Sequence, residues 1–328
     1  MIRKYRLAII LAVILFVLSF LSLFVGVLDI TPILKGDFEA FEIVLISRLP
    51  RLMAIICTGV GMSIAGLIMQ QLCMNKFVSP TTGATIASAQ LGRLLAMLVF
   101  TGTTLAQQTL MSFAFALLGT WIFVWLIQTI KFKDVIMVPL IGIMFSNVIG
   151  GVTSYFAYKY NMTQALSAIL VGDFSLIIRG RYEIVYLIVP LVIIAYIYAN
   201  HFNIVGMGEN FAKNLGVNYN RMMFFGLSIA ALITASIVVI VGTISYIGLI
   251  VPNIVSMFRG DKIQGSLVEV GLVGAIFVLI CDVIGRLIIF PYELPIDLVA
   301  GVIGSILFLG IMYRRLRVPK PKIRVEGR

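Results

Sequence analysis

Histidine occurs once in the 328 residues, cysteine three times and tryptophan twice, and only 14 side chains are acidic. These shortages remove most enzymatic chemistry. His201 stands alone, at the end of an apolar run where an interfacial structural role is expected, and Cys57, Cys73 and Cys281 occur at no metal-ligand spacing, so they read as small apolar fillers. There is no G-x-x-x-x-G-K-[ST] phosphate loop, no H-E-x-x-H and no G-x-S-x-G. The chain is therefore expected to be no enzyme, to hydrolyse no ATP itself, and to hold no cofactor or metal.

Charge is scarce as well: 12% of residues are charged against 61% hydrophobic, with a mean hydropathy of +1.09. That is far more apolar surface than a soluble core of this size hides, and the runs recur at membrane-spanning length. They are apolar on every face, as in 7–28, instead of alternating as barrel strands do. The first run is too long and continuous for a cleaved signal peptide and is read as a span. Spans are expected at 7–28, 50–71, 83–100, 109–130, 137–157, 183–200, 222–241, 243–258, 266–287 and 294–313. The fold class is thus all-α, a polytopic membrane protein with about ten transmembrane helices in a single domain, 1–328. The third and eighth runs are short and rich in Gly, Pro, Ser or Thr, as expected of helices that line a cavity or stop at mid-depth.

An even span count puts both termini on one side, and most of the 25 lysines and arginines fall there, so both ends are expected in the cytosol. The net charge of +11 needs no nucleic acid: the tail RRLRVPKPKIR is read as an anchor against anionic headgroups. Intramembrane carboxylates are few, Asp282, Glu293 and Asp297, which is a thin basis for an ion-coupled carrier. Arg51 to Pro80 and Arg221 to Pro252 span comparable apolar stretches in opposite senses, compatible with an inverted repeat.

GENFAKNLGVNYNRM, 208–222, is a polar island in this chain and longer than a turn requires. It is expected to form a short helix starting near Glu209, stopped by Gly216 in a left-handed cap, with Asn218 capping the next helix.

Four blocks carry a resemblance: RLPRLMAIICTGVGMSIAGLIMQQLCMNKFVSPTTGA (48–84), GENFAKNLGV (208–217), ISYIGLIVPNIVSMFRG (244–260) and CDVIGRLIIFPYELPIDLVAGVIGSILFLGIM (281–312). In order and spacing, over nearly the whole chain, they resemble the permease subunits of ABC importers for ferric siderophores, haem and vitamin B12, the FecCD family. The resemblance implies a type II ABC importer permease fold in a bacterial cytoplasmic membrane. It also implies a second permease, identical or paralogous, two cytosolic ATPase subunits, and an extracytoplasmic substrate-binding protein. A ferric siderophore is the expected cargo; the alternatives are vitamin B12 or haem on the same fold, and an ion-coupled secondary transporter.

The same resemblance implies residue roles. The 208–217 loop would be the coupling element on the ATPase, through Gly208, Glu209, Phe211, Ala212, Leu215 and Gly216. Arg48, Arg51 and Arg286 would dock acidic side chains of the binding protein, with interfacial anchoring as the alternative. Asn75 and Phe77 would form a cytosolic gate, opposed by Lys131 to Val135. Asn147 would line the pathway or bond between helices. Arg93 lies within an apolar span, at a cost of roughly 2.5–3.5 kcal/mol unless it faces water or a partner. It is either a pathway cation for an anionic chelate or an internal or snorkelling structural residue. Two stretches depart from the family pattern, Asn75-Lys76-Phe77-Val78 for the common Asn-Pro-Leu-Ala, and SAQLGR (88–93) for a more Gly-rich run.

Overall fold

The structure is a computed structural model that describes residues 2–26, 42, 44–100, 102–129, 137–180, 182–259 and 263–317. Among these it is helical with no strand. The helices are α1 (Ile2–Phe24), α2 (Leu49–Leu72, led in by a π-turn Val44–Arg48), α3 (Thr85–Val99), α4 (Leu105–Thr129), α5 (Met137–Lys159) and α6 (Thr163–Leu170). After a 3-10 turn, Glu183–Leu187, come α7 (Ile188–Ile197), α8 (Ala199–Val205), α9 (Glu209–Asn214), α10 (Tyr219–Ile240), α11 (Ile247–Arg259), α12 (Ile263–Leu287) and α13 (Ile296–Arg317).

Each of the ten expected spans carries a helix, of three kinds. Seven are long and apolar enough to cross a membrane. An eighth is the pair running from Glu183 to Val205, bent by 60°. The expected third and eighth spans are α3 and α11, whose 15 and 13 residues rise only ~20–23 Å against a hydrocarbon layer of ~30 Å. α6 is a short helix that hydropathy did not mark, because its eight residues are too few to register as a span.

Helix α2 is the axis of the bundle: 83% of its span is buried inside the protein, against 6% for α1, 17% for α5 and 22% for α13. The burial of α2 follows from its small residues. In hydrocarbon, helices associate by close packing, and glycine lets two backbones touch. A Cβ added at Gly66 would sit 1.9 Å from the carbonyl oxygen of Gly248 in α11, and one added at Gly59 would sit 2.5 Å from that of Gly274 in α12. α10 completes the shell, with Gly226 against Leu72 and Phe202.

The crossing at Gly66 also solves a backbone problem. Pro252 sits inside α11 and has no N–H to give the carbonyl of Gly248, and an unpaired carbonyl is costly at membrane depth. Gln70, one turn along α2 and buried, donates its Nε2 to the carbonyls of Gly248 and Leu249, each at 3.1 Å.

Enlarging Gly66 must therefore separate two backbones. Gly66→Val is expected to destabilise by at least the ~1–3 kcal/mol typical of overpacking, read as a lower melting temperature of the detergent-solubilised protein. Gly265→Ala, where an added Cβ meets no atom within 4 Å, is expected to stay within ~0.5 kcal/mol of wild type.

Candidate functional site

At one end of the bundle, the end of α1, the start of α2, the end of α12 and the 288–295 connection converge on a cluster of charges. Arg51 donates from Nε and Nη2 to Asp282 Oδ1, at 3.2 and 2.8 Å, and from Nη1 to Glu293 Oε2 at 2.7 Å. Asp282 Oδ2 forms an ion pair with Arg286 Nη2 at 2.5 Å. Arg286 in turn donates from Nη1 to the carbonyl of Val25 at 2.7 Å and from Nη2 to the hydroxyl of Ser22 at 2.6 Å. Arg48 donates to the carbonyl of Leu23. The last-turn carbonyls of α1, which have no partner in their own helix, are thus held by two arginines.

The structure therefore gathers Arg48, Arg51 and Arg286 at one end, as the sequence suggested, but not as three free surface cations. The Arg51, Asp282 and Arg286 side chains are 14%, 2% and 6% exposed, and Glu293, at 26%, is the most open of these four. Arg286 belongs to the interior and clasps α1. Sequence reading missed that Asp282 is the counter-charge of Arg286 and, with Glu293, of Arg51; the signal for the first was present in the i,i+4 spacing of Asp282 and Arg286.

Near this end a second polar group surrounds Arg93 on α3. Its Nη1 donates to the carbonyl of Val238 at 3.0 Å and its Nε to Gln108 Oε1 at 3.3 Å, while Gln108 Nε2 donates to Thr103 Oγ1 at 3.3 Å. A cavity of about 420 Å³ opens beside it. Among the described residues no carboxylate pairs with Arg93.

At the other end, α2 stops at Leu72 and the chain turns through Met74, whose φ of +50° is in the left-handed region. Asn75 is buried and its Oδ1 accepts from the Phe77 N–H at 2.9 Å, which holds the turn. Phe77 lies edge-on to Phe308 of α13, ring centres 6.2 Å apart. Asn253 Nδ2 donates to the carbonyls of Lys76 at 2.9 Å and Leu249 at 2.7 Å. Cavities of about 120 and 230 Å³ flank the turn, and Asn75 lines both. Sequence reading missed Gln70 and Asn253; Asn253 adjoins the helix-internal Pro252, a pattern that marks freed carbonyls, whereas Gln70 meets Pro252 only through the fold. Lys131 to Val135, the expected opposing gate, lie outside the described residues.

The 208–217 element is folded as anticipated from its caps. Gly208 and Gly216 have φ of +107° and +74°, Lys213 pairs with Glu209 one turn back, and Asn218 Oδ1 accepts from the Arg221 N–H at 3.1 Å. Ala212 is fully buried, so it seats α9 on the protein, while Phe211 (41%) and Leu215 (56%) are exposed. Just before the element, Gly206 lies against the side chain of Gln71, near enough that a Cβ there would be 2.4 Å from Nε2. Asn147 is exposed near the middle of α5.

Comparison with known proteins bears on what these two ends serve. The model of the FecCD transport family matches residues 9–314. The chain is 48% identical over 305 residues to the petrobactin import system permease protein YclN of Bacillus subtilis, covering 92% of this chain and 96% of the relative. To the petrobactin import system permease protein FatD of Bacillus anthracis it is 38% identical over 303 residues, 92% of this chain and 90% of the relative. Among solved structures, a metal-chelate type ABC transporter in an inward-facing conformation superposes with a TM-score of 0.81 at 25% identity, covering 94% of this chain and 99% of that one.

The charge cluster predicts an asymmetry between single and paired replacements. Asp282→Asn leaves two buried guanidiniums short of a counter-charge and is expected to cost about 3–5 kcal/mol, measured by thermal or denaturant unfolding in detergent. Asp282→Leu combined with Arg286→Met is expected to cost less than Asp282→Asn alone.

Proposed function

The chain belongs to the FecCD transport family, and from that premise we propose that it is the permease subunit of an ATP-driven ABC importer for a ferric siderophore. The observation that carries the reading is the near full-length similarity to two petrobactin import permeases. Petrobactin or a chemically similar chelate is the cargo this favours over haem or vitamin B12. ATP hydrolysis is assigned to two partner subunits, and cargo delivery to a binding protein outside a bacterial cytoplasmic membrane, with both termini in the cytosol.

The ion-coupled alternative is disfavoured by the carboxylates. Asp282 and Glu293 answer Arg51, Glu269 pairs with Arg259, and Asp297 Oδ1 accepts from the Ser245 N–H at 2.8 Å. Each has a structural partner, whereas a coupling carboxylate must exchange its ion.

The coupling role of 208–217 is supported by the division of labour within it. Gly208, Gly216 and the Glu209–Lys213 pair shape α9 and Ala212 seats it, leaving Phe211 and Leu215 to enter a groove on the ATPase. Displacement of α9 would pass through Gly206 and Gln71 to the Asn75–Phe77 turn, the cytosolic gate. A second permease is assigned to the faces of α5 and α13, which the chain itself leaves largely uncovered. Asn147 supports this, because an amide exposed at mid-span is poorly served by lipid. Docking of the binding protein is assigned to the arginine end, where Arg48 and Arg51 would meet acidic side chains while Arg286 holds the cluster together.

Two experiments test this. With the ATPase, binding protein and second permease co-reconstituted in liposomes, iron-loaded petrobactin is expected to accumulate only with ATP inside; accumulation by the permease alone, driven by an ion gradient, refutes the reading. Leu215→Asp is expected to abolish co-purification of the ATPase with no loss of folded permease, since a charge buried unpaired in a contact costs several kcal/mol. Ala212→Glu, by contrast, is expected to lower the melting temperature of the permease itself.

A further inference from the structure

We propose that the cavity beside Arg93 is a binding site for anionic oxygen groups, carboxylate or catecholate, on the chelate being imported. The proposal rests on the importer reading above and assigns a cargo contact to the protein.

The first support is the contrast with Arg51, Arg259 and Arg286. Arg51 and Arg286 share Asp282, and Arg259 pairs with Glu269. Arg93 has no such counter-charge among the described residues. Its contacts are neutral, the Val238 carbonyl and the Gln108 amide oxygen. Val238 lies in the last turn of α10, where carbonyls lack helical partners. These two bonds hold the guanidinium without cancelling its charge.

The second support is what remains free. Guanidinium carries five N–H donors, and only Nε and one on Nη1 are engaged. Nη2 has no hydrogen bond and is not among the buried unpartnered atoms, so it reaches open space, and Arg93 lines the cavity. At about 420 Å³ it lies within the ~300–1,000 Å³ of small-molecule sites. Met97, Leu176 and Val239 supply apolar wall, and Thr103 and Gln108 supply polar groups beside the cation. A planar fork of donors in such a setting suits two oxygens of one anionic group.

The third support is position. The cavity includes Leu176 and Ile177, whose segment is tied to the lead-in of α2 by the Arg179 N–H donating to the Ile46 carbonyl at 3.0 Å. It therefore shares the arginine-cluster end, opposite α9, where cargo arriving from a binding protein would first enter.

The test uses wild-type permease in nanodiscs and the arginine reagent phenylglyoxal, with mass spectrometry reading modification at Arg93. Arg93 is expected to react, and saturating ferric citrate, an anionic chelate, is expected to slow the reaction about tenfold, as for a site ~90% filled. Ferrioxamine B, a cationic ferric chelate, is expected to give no protection. In the reconstituted transporter, Arg93→Gln is expected to raise the KM for the anionic chelate at an unchanged melting temperature, with Arg93→Lys closer to wild type. An unreactive Arg93, no protection by ferric citrate, or equal protection by both chelates overturns the proposal. Absence of ATP-dependent uptake by the wild-type transporter instead overturns the importer reading and leaves the chelate-protection result to stand or fall by itself.

Discussion

Gly66 lies against the carbonyl of Gly248, and the rest of the bundle is arranged around that contact. Two helices can approach so closely only if neither carries a side chain at the crossing. The approach in turn brings Gln70 to the Gly248 carbonyl that Pro252 leaves unpaired, and to its neighbour at Leu249. Membrane interiors offer no water to a stranded carbonyl. A short helix with an internal proline is therefore stable here because α2 supplies both the close packing and the hydrogen bonds. α11 is consequently held by α2 along its first turns, and Asn253 extends the same support to the backbone of Lys76 in the turn that follows α2.

Charge is handled in two ways at the arginine end. Arg51 and Arg286 are matched by Asp282, and Arg51 also by Glu293, while Nη1 and Nη2 of Arg286 hold the end of α1 and its Nε has no hydrogen-bond partner among the described residues. Because α1 buries so little of its own surface, this clasp and its packing on α12 carry its attachment. Arg93 is unmatched in this sense, and its cavity gives an anion from outside the place that a carboxylate takes elsewhere.

The two ends also differ in mechanical character. The arginine end is cross-braced by short bonds between distant segments, among them Asp297 to the Ser245 N–H and the Asp173 N–H to the Val241 carbonyl. At the opposite end a left-handed residue at Met74 leads into the Asn75 turn, and a capped helix, α9, is seated by one buried alanine. A lightly seated element suits a region that must change shape, and braced ones suit a region that must present a fixed surface.

Ten apolar runs, their helical character, the caps at Gly216 and Asn218, and the small-residue composition of α2 were legible from residue order, because each depends on interactions within a few residues or on transfer into lipid. The short α3 and α11 were legible for the same reason. Contacts between residues far apart in the chain were not. Arg286 could be read as a surface cation until the end of α1 was found folded over it. Ala212 could be read as a docking residue until the seat of α9 was visible, and Gln70 had no role until Pro252 lay beside it. Those outcomes depend on which helix faces come together, and apolar helices in lipid offer many near-equivalent faces to one another. Steric fit at a few glycines and the need to pair each buried charge select one arrangement, and both act only in three dimensions.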